Sequence, residues 1–389
     1  MKVLIFMTQF YRLSGAERLA VELAEELNKR GIHSDILSMY TENMSGVLEA
    51  KEALLRKGIP AVHFLGMKIH PPITSMFPAI LKLRRMIRDE GYDIVETSMI
   101  SPTVIASWAT QGTRARHVAG LHHVYRRELH NSLQQMFWRF SVRCNKRIRF
   151  YAISDYVTDC WVEYSRTSPL YTRRIYNAIP DDSFDVVPDR YEVRKDLGIP
   201  GNARLAIYVG RLVAYKGIDT LLNALSPILE KENLFLLYVG QPYLGASGTQ
   251  EMLQQIERQV AEASWRDRVK FLGYRKDVPR LMASSDILVH PTRTEGFGLI
   301  LAEAMATGLP VVASNVEGIP EVLAGTDSVM VPPDDPEVLR KAVLKILNRR
   351  PEEAARAIKK GQIRAEDFRI EKRTDAMVKL FEDIRMGWL

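Results

Sequence analysis

The sequence predicts an α/β protein made of two parallel-sheet lobes, and three observations carry that reading. Short apolar runs alternate with amphipathic stretches along nearly the whole chain. The apolar runs lack the in–out alternation of a sheet with one wet face, so helices must cover both faces, as in parallel sheets. A stretch rich in Asp and Pro, Pro180–Pro200, has weak periodicity and separates two sets of runs, so it reads as a linker.

The first set is Lys2–Met7, Ser34–Met39, Ala61–Leu65, Asp93–Thr97, His117–Leu121 and Phe150–Ile153. Between the first two, Ala16–Arg30 puts Leu19, Leu23, Ala24 and Leu27 on one helical face. Tyr125–Arg149 is a second helical pattern, with Leu129, Leu133, Phe137 and Phe140 as its apolar stripe. The second set is Leu205–Val209, Leu234–Val239, Val269–Leu272, Ile287–His290, Pro310–Ala313 and Val329–Val331, each followed by a turn signal and a helical pattern. The expected domains are 1–180 and 181–373. Ligands of open α/β sheets bind beyond the carboxyl ends of the strands, so two such edges facing each other predict an interdomain cleft.

Composition narrows the class further. A chain of 389 residues with 46% hydrophobic and 26% charged residues is neither disordered nor a small disulfide scaffold. Its two cysteines, Cys144 and Cys160, predict a reducing compartment. No run reaches the roughly 18–20 apolar residues of a membrane span, and Met1–Met7 reads as a strand rather than a leader, so the expected location is the cytoplasm. The net charge of +7 is uneven: residues 1–178 carry +9 and the remainder −2. A basic half predicts either an anionic partner or solvated surface charge.

Chemistry concentrates at strand exits. After Ile287–His290 comes Thr292–Leu299, with Glu295 at the sheet edge and Gly296 and Gly298 at the start of a helix. The first turn of a helix presents unpaired amides and partial positive charge, which suit a phosphate or a hydroxylated ring. Glu303 follows eight residues after Glu295 in an otherwise apolar helix, where a carboxylate needs a partner or ligand; vicinal hydroxyls fit it. After Leu205–Val209, Gly210 precedes Arg211 and Lys216, a fork and a point charge suited to a diphosphate. The first strand exit, Thr8–Arg18, has the single glycine Gly15, so it is not a G-x-G-x-x-G dinucleotide loop, and Ser14 also suits a helix N-cap. His122 and His123 follow the strand His117–Leu121. They lack partners at metal-ligand spacing, so His122 reads either as a sugar or acceptor contact or as a structural histidine.

These residues resemble the retaining glycosyltransferases of family 4. The signature is Glu-x7-Glu, here Glu295 and Glu303, followed by Gly308–Ala313 and Gly318–Glu321. Gly210, Arg211, Lys216, Gly217 and Phe271–Gly273 match in the same half, and Ser14–Arg18, His122, Ile153, Ser154, Tyr176 and Asn177 match in the first half. The resemblance implies the GT-B fold of two Rossmann-like domains. It implies an acceptor-binding first domain joined by a last helix near 374–389, and a second domain binding a nucleotide-diphosphate sugar such as a UDP- or GDP-sugar. Arg211 and Lys216 would hold the diphosphate and Glu303 the ribose. Glu295 would contact the transferred sugar, helped by the amides of Phe297, Gly298 and Leu299. His122 would sit near that sugar, Gly15 under the diphosphate or acceptor, and Leu272, Gly273 and Tyr274 would line the base pocket. The chain departs from the family pattern at Ser14, Ala178 and Gly240–Thr249.

The expected reaction is metal-independent transfer with retention, no cofactor being required. Fixed cations and helix-end amides meet charge that grows on the leaving diphosphate only in the transition state. The basic pattern 125–149 and the cluster Lys82, Arg84, Arg85 and Arg88 predict a saccharide or lipid-linked acceptor and peripheral attachment to an anionic membrane surface. The apolar stripe equally fits a core-facing helix. A sugar-nucleotide epimerase or sugar phosphorylase on the same scaffold is the alternative enzyme. Nucleic-acid binding is disfavoured, because the charge is confined to one half and no recognition motif is present.

Overall fold

Two units make up the chain: Met1–Ala178 together with Ile370–Leu389, and Ile179–Arg369. The computed structural model describes residues 1–10, 15–43, 45–68, 75–126 and 133–387. Of the residues named above, Ser14 and Leu129 lie outside this set, as does part of the pattern 125–149.

The first unit holds a seven-stranded sheet. Its strands are β1 (Lys2–Met7), β2 (His33–Tyr40), β3 (Val62–Met67), β4 (Ile94–Thr97), β5 (Arg116–Leu121), β6 (Ile148–Ala152) and β7 (Thr172–Arg174), in the order β3-β2-β1-β4-β5-β6-β7. Every pairing is parallel. The burial of β1 shows why its sequence is continuously apolar. Val3, Ile5 and Met7 pack with Leu23 and Leu27 of α1 (Gly15–Lys29) and with Leu380 and Phe381 of α15 (Ile370–Arg385). Leu4 and Phe6 project to the other face, against Leu83 and Ile87 of α3 (Met76–Glu90) and Ile105 of α4 (Ile100–Ala109). Side chains two apart share a face, and here both faces are dry.

The second unit repeats the arrangement with six strands. They are β8 (Arg204–Val209), β9 (Leu234–Val239), β10 (Val269–Gly273), β11 (Ile287–His290), β12 (Val311–Ser314) and β13 (Val329–Val331), in the order β10-β9-β8-β11-β12-β13. All are parallel. Its core joins Ala206, Tyr208 and Leu236 of the sheet to Leu221 and Leu225 of α8 (Ile218–Lys231) and Leu339 and Val343 of α13 (Pro336–Leu347). Asp335 caps α13 by accepting from the Val338 amide at 3.0 Å.

Four sequence expectations need correction. Pro180–Pro200 is not a free linker: it lies inside the second unit and contains α7 (Arg190–Asp196), with Val193 and Arg194 buried. Arg194 and Arg190 both bind Asp286, and these long-range ties are invisible to local periodicity. The strand β7 was not expected, because Thr172–Arg174 is short, polar and at the sheet edge. The helix expected over Tyr125–Arg149 is α5 (Leu133–Cys144), and Arg149 belongs to β6. Among the described residues of α5, Trp138, Ser141 and Val142 are buried, whereas Phe140, expected in the apolar stripe, is 56% exposed. The last helix begins at Ile370 rather than near Thr374. Among the described residues no helix is long and apolar enough to cross a membrane.

Candidate functional site

In both sheets the strand order reverses direction once, between β1 and β4 and between β8 and β11. Crossover connections leave these points in opposite directions and open a crevice at the carboxyl ends, where ligands of such sheets sit. In the second unit, the exits of β8 and β11 carry Gly210, Arg211, Lys216, Glu295, Phe297, Gly298 and Leu299.

Lys216 closes a short 3-10 turn, Ala214–Lys216, and its Nζ donates to Glu295 Oε2 at 2.5 Å. Both side chains are mostly buried, at 13% and 19% exposure. His290, at the end of β11, places Nε2 3.3 Å from the same oxygen. Burial alone would push the Glu295 carboxyl up, but the Lys216 ammonium and the His290 contact outweigh it and hold it far below the usual carboxylate range. Burial also lowers His290, which is therefore neutral at neutral pH. The site thus contains a fixed carboxylate and a fixed ammonium. The ammonium has three N–H donors, so one bond to Glu295 does not exhaust it.

The loop holding Glu295 is fastened by a residue that the sequence reading did not single out. Glu317 Oε2 accepts from the Glu295 amide at 2.6 Å and from Thr294 Oγ1 at 2.7 Å. The next residue, Gly318, donates its amide to the Glu295 carbonyl at 3.1 Å. A Cβ on Gly318 would lie 2.1 Å from the Gly296 carbonyl oxygen, so the two backbones touch and only glycine fits. An acidic residue directly before the Gly318–Glu321 match was the available signal. Arg293 adds a second fastening. It binds Asp219 at 2.8 and 3.0 Å and Asp334 at 2.7 Å, joining the β11 exit to the start of α8.

Arg211 is exposed beside β8, and its guanidinium donates to the Tyr215 hydroxyl at 2.6 Å. It also lies 5.8 Å from the Tyr243 ring centre, within cation–π range. Tyr208 accompanies it from below, donating its hydroxyl to the Arg211 carbonyl at 2.9 Å. Gly298, with a left-handed φ of 86°, precedes α11 (Leu299–Ala306), whose first turn faces this loop; Phe297 is buried. Glu303 is half-buried on α11 between buried Ala302 and Ala304. Leu272, Gly273 and Tyr274 follow from β10, and the Gly273 carbonyl accepts from the Gly240 amide at 2.8 Å. Tyr274 is 66% exposed.

The remaining two expected residues belong to the first unit. Gly15 opens α1 after β1, and His122 follows β5. The His122 ring is half-buried, with Nε2 3.3 Å from the Tyr151 hydroxyl. Burial, with Arg373 and His123 nearby, pushes its pKa down to about 3. Several cations of the basic half are spent on backbone carbonyls. Lys82 binds those of Phe64 and Leu65, Arg84 those of Trp108 and Ala109 at the end of α4, and Arg147 that of Thr113. Arg139 and Arg143 lie beside exposed Met136 and Phe140 around a surface hollow of about 490 Å³ on α5.

Residues 13–183 match the family described as Glycosyltransferase Family 4, and residues 189–364 match Glycosyl transferases group 1. The N-acetyl-alpha-D-glucosaminyl L-malate synthase of Bacillus anthracis is 25% identical over 84% of this chain and 83% of its own. The lipopolysaccharide glucosyltransferase WaaG of Escherichia coli is 30% identical over 44% of this chain and 45% of its own. The chain spans less than half the length of the first curated relatives it matches. Among solved structures, HepE of Anabaena in complex with UDP superposes with a TM-score of 0.82 at 22% identity, covering 98% of this chain and 100% of that one.

Proposed function

The chain belongs to the glycosyltransferases of family 4, with the GT-B fold, and from that premise we propose that it moves a sugar from a nucleotide-diphosphate donor to a hydroxyl acceptor. The observation that carries this reading is the Lys216–Glu295 pair at the switch point of the second sheet, with Arg211 on the same β8 exit as Lys216. As the glycosidic bond to the diphosphate lengthens, negative charge grows on the leaving oxygens. Lys216, Arg211 and the amides at the start of α11 meet that charge without reorganising. Glu295, ionised and fixed, contacts the transferred sugar, and Glu303 takes the ribose hydroxyls. Leu272, Gly273 and Tyr274 receive the base, while Gly210 lets the diphosphate pass close to the backbone. His122 approaches the sugar, and Gly15 lies under the diphosphate or acceptor. These cations substitute for a divalent ion, and the glutamates bind rather than act as a glycosidase acid/base pair. Transfer then proceeds with retention, by front-face attack in which the leaving phosphate takes the acceptor proton.

The second unit is the donor-binding domain and the first the acceptor-binding domain. The UDP held by HepE and the glucosyl transfer named for WaaG support a UDP- or GDP-sugar donor and a place in lipopolysaccharide, polysaccharide or glycolipid assembly. The apolar and cationic side chains Met136, Phe140, Arg139 and Arg143 on α5 support peripheral contact with the anionic inner face of the cytoplasmic membrane.

The test is a thermal-shift screen of UDP-, GDP- and ADP-sugars, followed by product analysis with and without a saccharide acceptor and with EDTA. A ligand that binds only the folded state raises the melting point. One sugar nucleotide should stand out, and transfer should need an acceptor and survive chelation. Release of an isomerised sugar nucleotide without an acceptor would favour an epimerase instead.

A further inference from the structure

The carboxyl end of the first sheet contains a buried polar chain that the proposed reaction has not used. Glu96, on β4, is fully buried. Its Oε1 accepts two bonds, from the Tyr151 hydroxyl at 2.7 Å and from Ser98 Oγ at 2.8 Å. Tyr151, on β6, lies 3.3 Å from His122 Nε2, and the two rings meet edge to face at 87°.

With Glu96 Oε1 accepting both bonds, counting protons gives this chain a direction. A hydroxyl has one proton. Tyr151 gives its proton to Glu96, and Ser98 does the same, so neither can donate elsewhere. The Tyr151 oxygen is then left to accept, and of the two other groups 3.3 Å from it among the described residues, Ser98 Oγ has already given its proton to Glu96, which leaves His122 Nε2–H as the donor. A neutral imidazole carries one N–H, so Nδ1 is bare. Nδ1 is buried and has no partner among the described residues. The bond to Tyr151 is therefore what sets the rotation of the ring, and the chain supplies no donor for its other nitrogen.

We propose that Glu96 and Tyr151 are positioning residues that lock His122 in the Nε2–H tautomer and leave Nδ1 as an acceptor for a hydroxyl of bound substrate. This rests on the proposed role of His122 at the substrate. The charge environment agrees with it. Arg373, brought into the unit by α15, is buried and donates to the Leu19 carbonyl at 3.1 Å. Burial first, then Arg373 and His123, disfavours a charged His122, and burial outweighs Arg373 in disfavouring an ionised Glu96. Oε2 of Glu96, also buried and without a partner, is where the proton of a neutral carboxyl would reside. Loss of the anchor would let the ring turn and the tautomers mix, which is the positioning task a histidine's second hydrogen bond serves in acid–base sites generally.

The test combines ¹H–¹⁵N long-range correlation spectra of the full chain with kinetics. Wild type should show His122 protonated at Nε2 alone. Tyr151→Phe should show mixed tautomers and lose about tenfold or more in kcat/KM, the size of one hydrogen bond. Glu96→Leu should behave like Tyr151→Phe. Glu96→Gln keeps an acceptor oxygen and should retain the tautomer and most of the activity, provided melting curves show each variant folded. An unchanged tautomer in Tyr151→Phe, or equal damage from Gln and Leu at position 96, overturns the proposal. Full activity in His122→Ala would instead overturn the substrate role of His122, leaving the tautomer result to stand by itself.

Discussion

Lys216 and Glu295 are the mostly buried ion pair, 2.5 Å apart, on which the proposed reaction turns. Replacing Lys216 by Ala should lower kcat by about 10²–10³, the loss typical of one preorganised electrostatic donor. Turnover within a factor of two of wild type would remove Lys216 from the chemistry. Replacing Glu295 by Ala should cost stability as well as activity. It strands an ammonium that is 13% exposed and takes the acceptor from His290. Breaking a buried pair costs about 3–5 kcal/mol, and this one, not fully enclosed, should fall near or just below the lower end in urea unfolding. A separate expectation concerns His117, buried between Thr97 and Ser107 and pushed down by burial to about 3. The unfolded chain binds a proton there below about pH 6.5, whereas the fold does not until about pH 3. The unfolded state thus holds more protons across that window, and stability falls as pH falls, by up to about 1.4 kcal/mol per unit for one group. Glu96 and Glu22, raised by burial, act in the opposite sense. The clean measurement is the difference between wild type and His117→Asn from pH 7 to 5. The variant should lose less stability on acidification, and parallel curves would refute the assignment.

At the scale of elements, the Glu295 loop is held from outside by the Glu317–Gly318 turn. Gly318→Ala forces a Cβ toward a backbone oxygen 2.1 Å away, and neither backbone can yield without moving the Glu295 loop. A cost of about 1–3 kcal/mol is expected, as for overpacked interiors, together with a loss of donor affinity measurable by calorimetry. Unaltered binding would mean that the loop does not depend on this contact. The elements also show where sequence reading succeeds. Dry strands such as β9 are legible because all six of its residues are apolar and buried. The helix α5 was overextended, because Asn145–Arg147 continues a helical charge pattern although the chain turns there. The Asn145 side chain binds the Ser107 carbonyl, and its own carbonyl accepts from Ile148 to start β6. Arg211, Lys216 and Glu295 were legible as candidates because they sit at glycine-marked strand exits, and Glu303 because a carboxylate interrupts an apolar helix. His290, Glu317 and Arg293 were not, since their partners are fixed by tertiary contacts.

At the scale of the chain, its two ends build one unit. Met377, Leu380, Phe381 and Ile384 of α15 are buried in the same core as β1 and α1, and Arg173 pairs with Asp383 at 2.7 Å. Ending the chain after Arg369 should expose this face and unfold the first unit, while the second, complete in 179–369, keeps its protection. Hydrogen exchange read separately over β1 and β9 would decide the matter, and protection of β1 in the shortened chain would contradict it.

The sequence by itself determined that the protein is built of parallel α/β sheets, and it marked which strand exits carry charge. Both follow from local physics: continuous apolar runs demand two covered faces, and glycines beside ionisable residues demand a reason. Only the tertiary structure decided that β8 lies beside β11, and so that Lys216 and Glu295, 79 positions apart, share a proton-rich contact of 2.5 Å. It also decided that the stretch after Ala178 is part of a unit and not a tether. Strand order and long-range ion pairs depend on which surfaces fit together, and no window of neighbouring residues contains that information.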